Sequence, residues 1–188
     1  ALALEAAQQG IVLLKNDGAT LPLPKASPPT LAVLGTGGTF DKDYPRVHSG
    51  YAFEIGEPAA ERMLASMPFL NMTWRVESVC CKDSTEITTA DRDLLVAAVR
   101  RAPEDRIVVT HGTDTLIQSA QYIAQSGAAA SKVVAFTGAM KPERFKDSDA
   151  AFNLGGAVAA AGVLPPGSVA VCMGGRVFDC DDAWRNTE

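Results

Sequence analysis

The sequence is poor in the residues that hold metals and clusters. Its 188 residues include two histidines and four cysteines. Cys80, Cys81, Cys172 and Cys180 form no C-x-x-C pair, and with so few histidines no zinc constellation is available. The thiols therefore read as free and mostly buried, which suits a cytoplasmic protein. Positive charge is also in deficit. Lys plus Arg is 17 against 22 for Asp plus Glu, a net charge of −5. That argues against a nucleic-acid partner held by phosphate contacts. The longest nearly uncharged apolar stretch, Ala150–Leu164, contains Asn153 and a glycine pair. It falls short of the roughly 20 residues that cross a bilayer, so no membrane partner is expected. No basic-then-apolar leader is visible. The first residue is Ala1 rather than Met, so the chain reads as trimmed.

What is present suits a globular protein. Hydrophobic residues make up 47% and charged residues 21%, enough for one domain with a core plus a short appendage. The apolar period switches repeatedly between strand-like and helix-like. Strands are expected at Thr30–Thr36, Thr73–Cys80, Arg106–Thr110, Lys132–Thr137 and Ser168–Met173. Helices are expected at Pro58–Met67, Thr88–Arg101, Thr115–Ser126 and Asp149–Ala161. Thr88 is the expected N-cap of the second, with Asp91 three residues on and Arg100 and Arg101 in the last turn. The alternation predicts an α/β fold, a mostly parallel sheet with helices on both faces. Lys25–Pro29 is the linker-like stretch.

In such a fold ligands bind at the carboxyl ends of the strands. Four predicted strands end in chemistry-bearing segments: Gly35-Thr36-Gly37-Gly38-Thr39, Asp83-Ser84-Thr85, Thr110-His111-Gly112-Thr113-Asp114-Thr115 and Thr137-Gly138-Ala139-Met140-Lys141-Pro142. Together they offer hydroxyls, glycine amides and a carboxylate to a small polar substrate, especially one carrying a carboxylate of its own. The glycine loop is not a dinucleotide fingerprint, because Phe40 stands where the third glycine is needed. Thr39 is either a hydroxyl nucleophile on that loop, near amides that stabilise an oxyanion, or part of an ordinary glycine turn. Asp114 equally suits a helix cap, Ser84 a turn, and His111 a buried strand end.

Taken together, Leu34–Lys42 (LGTGGTFDK), Val108–Thr115 (VVTHGTDT), Thr137–Pro142 (TGAMKP) and Phe152–Leu154 (FNL) resemble the bacterial-type L-asparaginases. The resemblance runs from about Leu31 to the end of the chain and corresponds to that family's N-terminal domain. It implies cleavage of the side-chain amide of L-asparagine, often also of glutamine, to the acid and ammonia, with no metal or organic cofactor. It further implies that Thr39 forms an acyl-enzyme and that Thr113 is the second catalytic threonine. Asp114 grips the substrate's α-amino group, while Ser84 and Thr85 hold its α-carboxylate, with Gly38 and Gly112 in the substrate-binding loops. A homo-oligomer, dimer or larger, is expected by the same resemblance.

The sequence departs from the family at three places. The tyrosine that activates the nucleophile sits in a Tyr-x-x-Gly context, which here reads Phe53-Glu54-Ile55-Gly56, so Tyr51 or Tyr44 has to substitute, and Tyr51 is taken as the catalytic tyrosine. The lysine coupled to the second threonine, expected after the Phe-Asn-Leu helix, is absent from Ala161-Gly162-Val163-Leu164-Pro165. The chain also stops where the family's second domain begins, like short forms made of the first domain alone. These departures keep open a second reading, a catalytically weak or inactive amino-acid-binding domain. Finally, Glu5–Pro24 (EAAQQGIVLLKNDGATLPLP) resembles a segment of family-3 glycoside hydrolases. The expected division is an appendage over residues 1–30 and an asparaginase-type domain over 31–188.

Overall fold

The computed structural model describes residues 29–44, 53–68 and 70–185. The elements follow in the order β1 (Thr30–Gly37), β2 (Lys42–Asp43), β3 (Glu54–Ile55), α1 (Ala59–Ser66), β4 (Thr73–Lys82), α2 (Thr89–Arg101), β5 (Arg106–Thr110), α3 (Leu116–Gln125), β6 (Val133–Thr137), α4 (Ala150–Val163), β7 (Val169–Met173) and β8 (Arg176–Asp179). Each strand and helix expected from the apolar period is present with ends shifted by a residue or two.

Six strands form one sheet in the order β4-β1-β5-β6-β7-β8, parallel except for β8, which runs antiparallel to β7. The central strands are apolar on both faces because helices cover both. Leu34, Ile107, Val109, Val134 and Phe136 pack with Leu95 and Val99 of α2 and Leu116 and Ile123 of α3. On the other face Val33, Val108 and Ala135 meet Met63 and Leu64 of α1 and Leu154 and Ala157 of α4. Each fully buried Val, Leu or Ile side chain contributes roughly 1.5–3 kcal/mol. Helix α4 approaches through alanines, Ala150, Ala157, Ala160 and Ala161, so its backbone lies close to the sheet.

The expected start of α2 is realised in full. The Thr88 hydroxyl accepts the Asp91 N–H, and the Asp91 carboxylate accepts the Thr88 N–H at 2.8 Å, forming a capping box. Strand β8 and the short β2–β3 pair are additions to the sequence reading. Met173 pairs with Arg176 across Gly174-Gly175, both with positive φ (57° and 78°), a two-residue hairpin turn that favours glycine. Because β8 is largely exposed, it carries no buried apolar stripe for a periodicity reading to detect. Residues 1–28, which include nearly all of the expected appendage, lie outside the described residues.

Candidate active site

Parallel register brings the four chemistry-bearing segments together. Strands β4, β1, β5 and β6 are consecutive neighbours in the sheet. Gly35, Thr110 and Thr137 lie level with one another across β1, β5 and β6, so three chains leave the sheet side by side. The Thr36 hydroxyl donates to the Thr110 carbonyl at 3.0 Å, and the His111 N–H to the Thr137 carbonyl at 2.9 Å. These bonds lock the strand ends in step.

Glycine is required where the loops touch. Gly38 has φ 73° and ψ −167°, a region that only glycine occupies readily. A Cβ there would lie 2.4 Å from the Gly112 Cα and 2.5 Å from its nitrogen. A Cβ on Gly112 would in turn lie 2.6 Å from the Ser84 side chain. Gly38, Gly112 and Ser84 are thus stacked in contact, and the loop carrying Thr39 lies against the one carrying Thr113 and Asp114. Gly138, just past the end of β6, closes in behind, with its Cβ position 3.1 Å from the Thr113 methyl.

Both threonines are half-buried. Thr39 opens a single 3-10 turn, Thr39–Asp41. Thr113 lines a cavity of about 250 Å³ together with Leu116, Met140, Met173, Trp184 and Arg185. Ser84 is buried: its hydroxyl donates to Asp114 Oδ2 at 3.3 Å and accepts the Asp114 N–H at 3.2 Å. Its carbonyl accepts the Thr115 hydroxyl at 2.6 Å. Thr85 is exposed, and its N–H and hydroxyl both donate to Asp83. Those bonds, the Thr85 N–H first, together with Lys42 at 3.1 Å, hold the Asp83 carboxyl below the usual carboxylate range. The Gly38 N–H is committed to the Lys82 carbonyl at 2.9 Å. With the Asp114 N–H committed to Ser84, neither amide is available to an oxyanion.

His111 is 1% exposed, and its Nδ1–H donates to the Gly112 carbonyl at 2.8 Å. Burial pushes its pKa down to about 4, so it is a neutral wall of the site at neutral pH. Tyr51 lies outside the described residues. Tyr44 is 64% exposed and stacks, tilted, on Phe53 at 5.6 Å.

This architecture matches a known group. The family pattern "Asparaginase, N-terminal" covers residues 30–186. The chain belongs to the asparaginase family. It is 30% identical over 143 residues to L-asparaginase 2 of Bacillus subtilis (strain 168), a match spanning 71% of this chain and 37% of that protein. It is 28% identical over 139 residues to a glutaminase-asparaginase of Pseudomonas fluorescens biotype A, spanning 70% and 38%. Among solved structures, the thermostable L-asparaginase from Thermococcus kodakarensis superposes with a TM-score of 0.67 at 26% identity, over 80% of this chain and 46% of that one. L-asparaginase I from Vibrio cholerae shares the fold with a TM-score of 0.68 at 23% identity, over 85% and 49%. The chain thus spans about two-fifths of the length of the curated relatives it matches and about half of these solved chains. Among the described residues no helix is long and apolar enough to cross a membrane.

Arg185, Asn153 and Asp41, to which the sequence analysis gave no role, make contacts at or beside the site. Ala161, Gly162 and Leu164 share a cavity wall with Thr30, Arg106 and Val133, the first residues of their strands or close to them. The stretch searched for a lysine is therefore at the amino ends of the strands, opposite the threonines. The cation found beside Thr113 is Arg185, which pairs with Asp114 Oδ1. Asn153 of the Phe-Asn-Leu motif is 2% exposed and donates to the Gly138 carbonyl at 3.0 Å while accepting the Gly174 N–H at 3.0 Å. It ties the β6 loop to the β7–β8 turn. Asp41, two residues past Thr39, is 1% exposed and accepts the Ala59 N–H at 2.7 Å.

Proposed function

We propose that this chain is an amidohydrolase cleaving the side-chain amide of L-asparagine to L-aspartate and ammonia. The carrying observation is the Gly38–Gly112 contact, which sets the Thr39 loop against the Thr113-Asp114 turn at neighbouring strand ends. In this reading the Thr39 hydroxyl attacks the amide carbon. An ester forms, the C–N bond breaks, and the nitrogen takes up a proton and leaves as ammonia. Water then hydrolyses the ester and frees Thr39. Thr113 is the second catalytic threonine. Asp114 holds the α-ammonium, and Ser84 and Thr85 face the α-carboxylate end with the Gly38 and Gly112 loops. A threonine hydroxyl needs a base, and Tyr51 is assigned that role. The chemistry needs no metal or organic cofactor. Residues 31–188 form the catalytic domain and 1–30 an appendage, in a cytoplasmic homo-oligomer.

The test is ammonia release from L-asparagine, with glutamine as the comparison. Thr39→Ala and Thr113→Ala should each lower the rate by at least about a hundredfold; unchanged activity in either overturns its assigned role. The second reading, an amino-acid-binding domain without turnover, draws on Phe53 standing where the family tyrosine is expected, on the missing lysine and on the Arg185–Asp114 pair. Calorimetric binding of L-aspartate with no ammonia released would favour it.

A further inference from the structure

The cavity of about 250 Å³ beside Thr113 takes no part in the proposed reaction. Leu116 of α3 and Val171 of β7, both buried, lie at its base. Met173 of β7 and Phe178 of β8 continue the lining, and Trp184 borders it while 75% exposed. A hollow lined this way, with a large apolar ring left in water beside it, is a ligand or partner surface. Its polar side chains are Thr113 and Arg185. Among the described residues the Arg185 guanidinium makes one bond, from Nη1 to Asp114 Oδ1. Its Nε and Nη2 donors therefore remain free. Asp114 also keeps accepting directions, because its other oxygen takes only the Ser84 hydroxyl, at 3.3 Å. An anion donor and a cation acceptor thus stand together at the edge of an apolar cavity.

We propose that this cavity binds an α-amino acid with an apolar side chain. The ammonium meets Asp114, the carboxylate takes the free donors of Arg185, and the side chain fills the hollow between α3 and the β7–β8 hairpin. Charge complementarity selects this occupant. A neutral apolar molecule leaves both charges unused. An amine alone is repelled by Arg185, and a carboxylate alone by Asp114. An α-amino acid carries both charges on one carbon and answers both partners with charge-assisted bonds. Size agrees as well. A cavity of about 150 Å³ with apolar walls takes a benzene ring, so this one has room for the side chain of phenylalanine. The pose differs from the one proposed for asparagine, whose carboxylate faces Ser84 and Thr85. The two poses share Asp114, so each ligand excludes the other.

Calorimetry on the full chain at neutral pH, with L-phenylalanine as the probe, tests this. L-phenylalanine should bind at least about tenfold more tightly than L-alanine, which has both charges and nothing to fill the cavity. Phenethylamine and 3-phenylpropanoate keep the ring with one charge each, and each should bind at least about tenfold more weakly than L-phenylalanine. Equal affinity for L-alanine overturns the role of the cavity, and equal affinity for either analogue overturns that of the ion pair. Ala183→Trp, a substitution in the cavity wall, should weaken L-phenylalanine by at least about tenfold and leave the KM for L-asparagine unchanged. Unchanged L-phenylalanine binding in the folded variant overturns the proposal; if the variant does not fold, the analogue series on the parent decides. Ammonia release separates the proposal from the amidohydrolase reading. In the parent, L-phenylalanine should raise the KM for L-asparagine without changing kcat, and release that it does not slow overturns the proposal. L-phenylalanine binding with no ammonia released means that the amidohydrolase reading has failed and the cavity site stands. If L-phenylalanine does not bind and Ala183→Trp splits a dimer in light scattering, a second copy of the chain covers the hollow and the proposal is overturned.

Discussion

Replacing Gly38 with alanine tests the arrangement on which the whole site depends. The backbone there, φ 73° and ψ −167°, costs a residue with a Cβ about 1–3 kcal/mol. The new methyl would also sit 2.4 Å from the Gly112 Cα and 2.5 Å from its nitrogen. Both are backbone atoms, so neither can swing away, and overpacking of this kind costs about 1–3 kcal/mol. Together the terms give a loss of about 3 kcal/mol or more, or roughly 6–12 °C in melting temperature for a domain of this size. Relief requires the two loops to separate, so ammonia release should fall further than stability does. Gly155→Ala is the control. It lies in α4 with nothing within 4 Å of its Cβ position, and should gain up to about 1 kcal/mol from helix propensity. Thermal melts of the three proteins decide. If Gly38→Ala melts within about 2 °C of the parent, the contact between the loops is not as described.

Two further perturbations address the scaffold. Thr88→Ala removes the hydroxyl that accepts the Asp91 N–H and should cost about 1 kcal/mol in urea unfolding without altering any site residue; no loss would mean that the capping box does not hold α2. His111 and Asp41 should oppose one another in pH dependence. His111 has its pKa depressed by burial to about 4, so the unfolded chain binds more protons below about 6.5 and stability is lost as pH falls from there toward 4. Asp41 has its pKa raised to about 7, so the folded chain holds the extra proton and stability is lost as pH rises from about 4 to 7. Asp41→Asn should remove the second effect and uncover the first. Its stability, relative to the parent, should climb with pH at up to about 1.4 kcal/mol per unit; parallel urea midpoints for the two proteins would refute the Asp41 assignment, and a variant whose midpoint does not fall from about pH 6.5 toward 4 would refute that of His111.

Much of the fold was legible because its signals are local. A buried parallel strand such as Arg106–Thr110 announces itself by an apolar centre, and Thr88 with Asp91 by capping chemistry at fixed spacing. The strand ends that carry Thr39, Ser84, Thr113 and Asp114 were legible for the same reason, since a parallel sheet must release its chains at one edge. What was not legible depends on tertiary neighbours. Asp41 reads in sequence as a loop acid, and only the docking of Ala59 shows that it is buried and bonded. Arg185 stands 71 residues from Asp114, with no periodicity connecting them. The short hairpin strand β8 faces water and leaves no apolar stripe.

The Arg185–Asp114 pair bears directly on whether Asp114 can hold a substrate ammonium. The two side chains are 42% and 41% exposed, and ion pairs with that much access to water are worth about 1 kcal/mol or less. Such a pair cannot exclude a competing cation that brings further contacts of its own. Nor must it be broken. An ionised carboxylate offers about four acceptor directions, and the described structure uses one oxygen for Arg185 and the other for Ser84. Directions therefore remain for an ammonium approaching from the crevice. Arg185 and the substrate would share Asp114, and the guanidinium would favour a substrate that also carries a carboxylate. An α-amino acid supplies both charges, whereas a simple primary amine supplies only the repelled one. If Asp114 holds the substrate's ammonium as proposed, Arg185 beside it would select for a zwitterion more strictly than a lone carboxylate could.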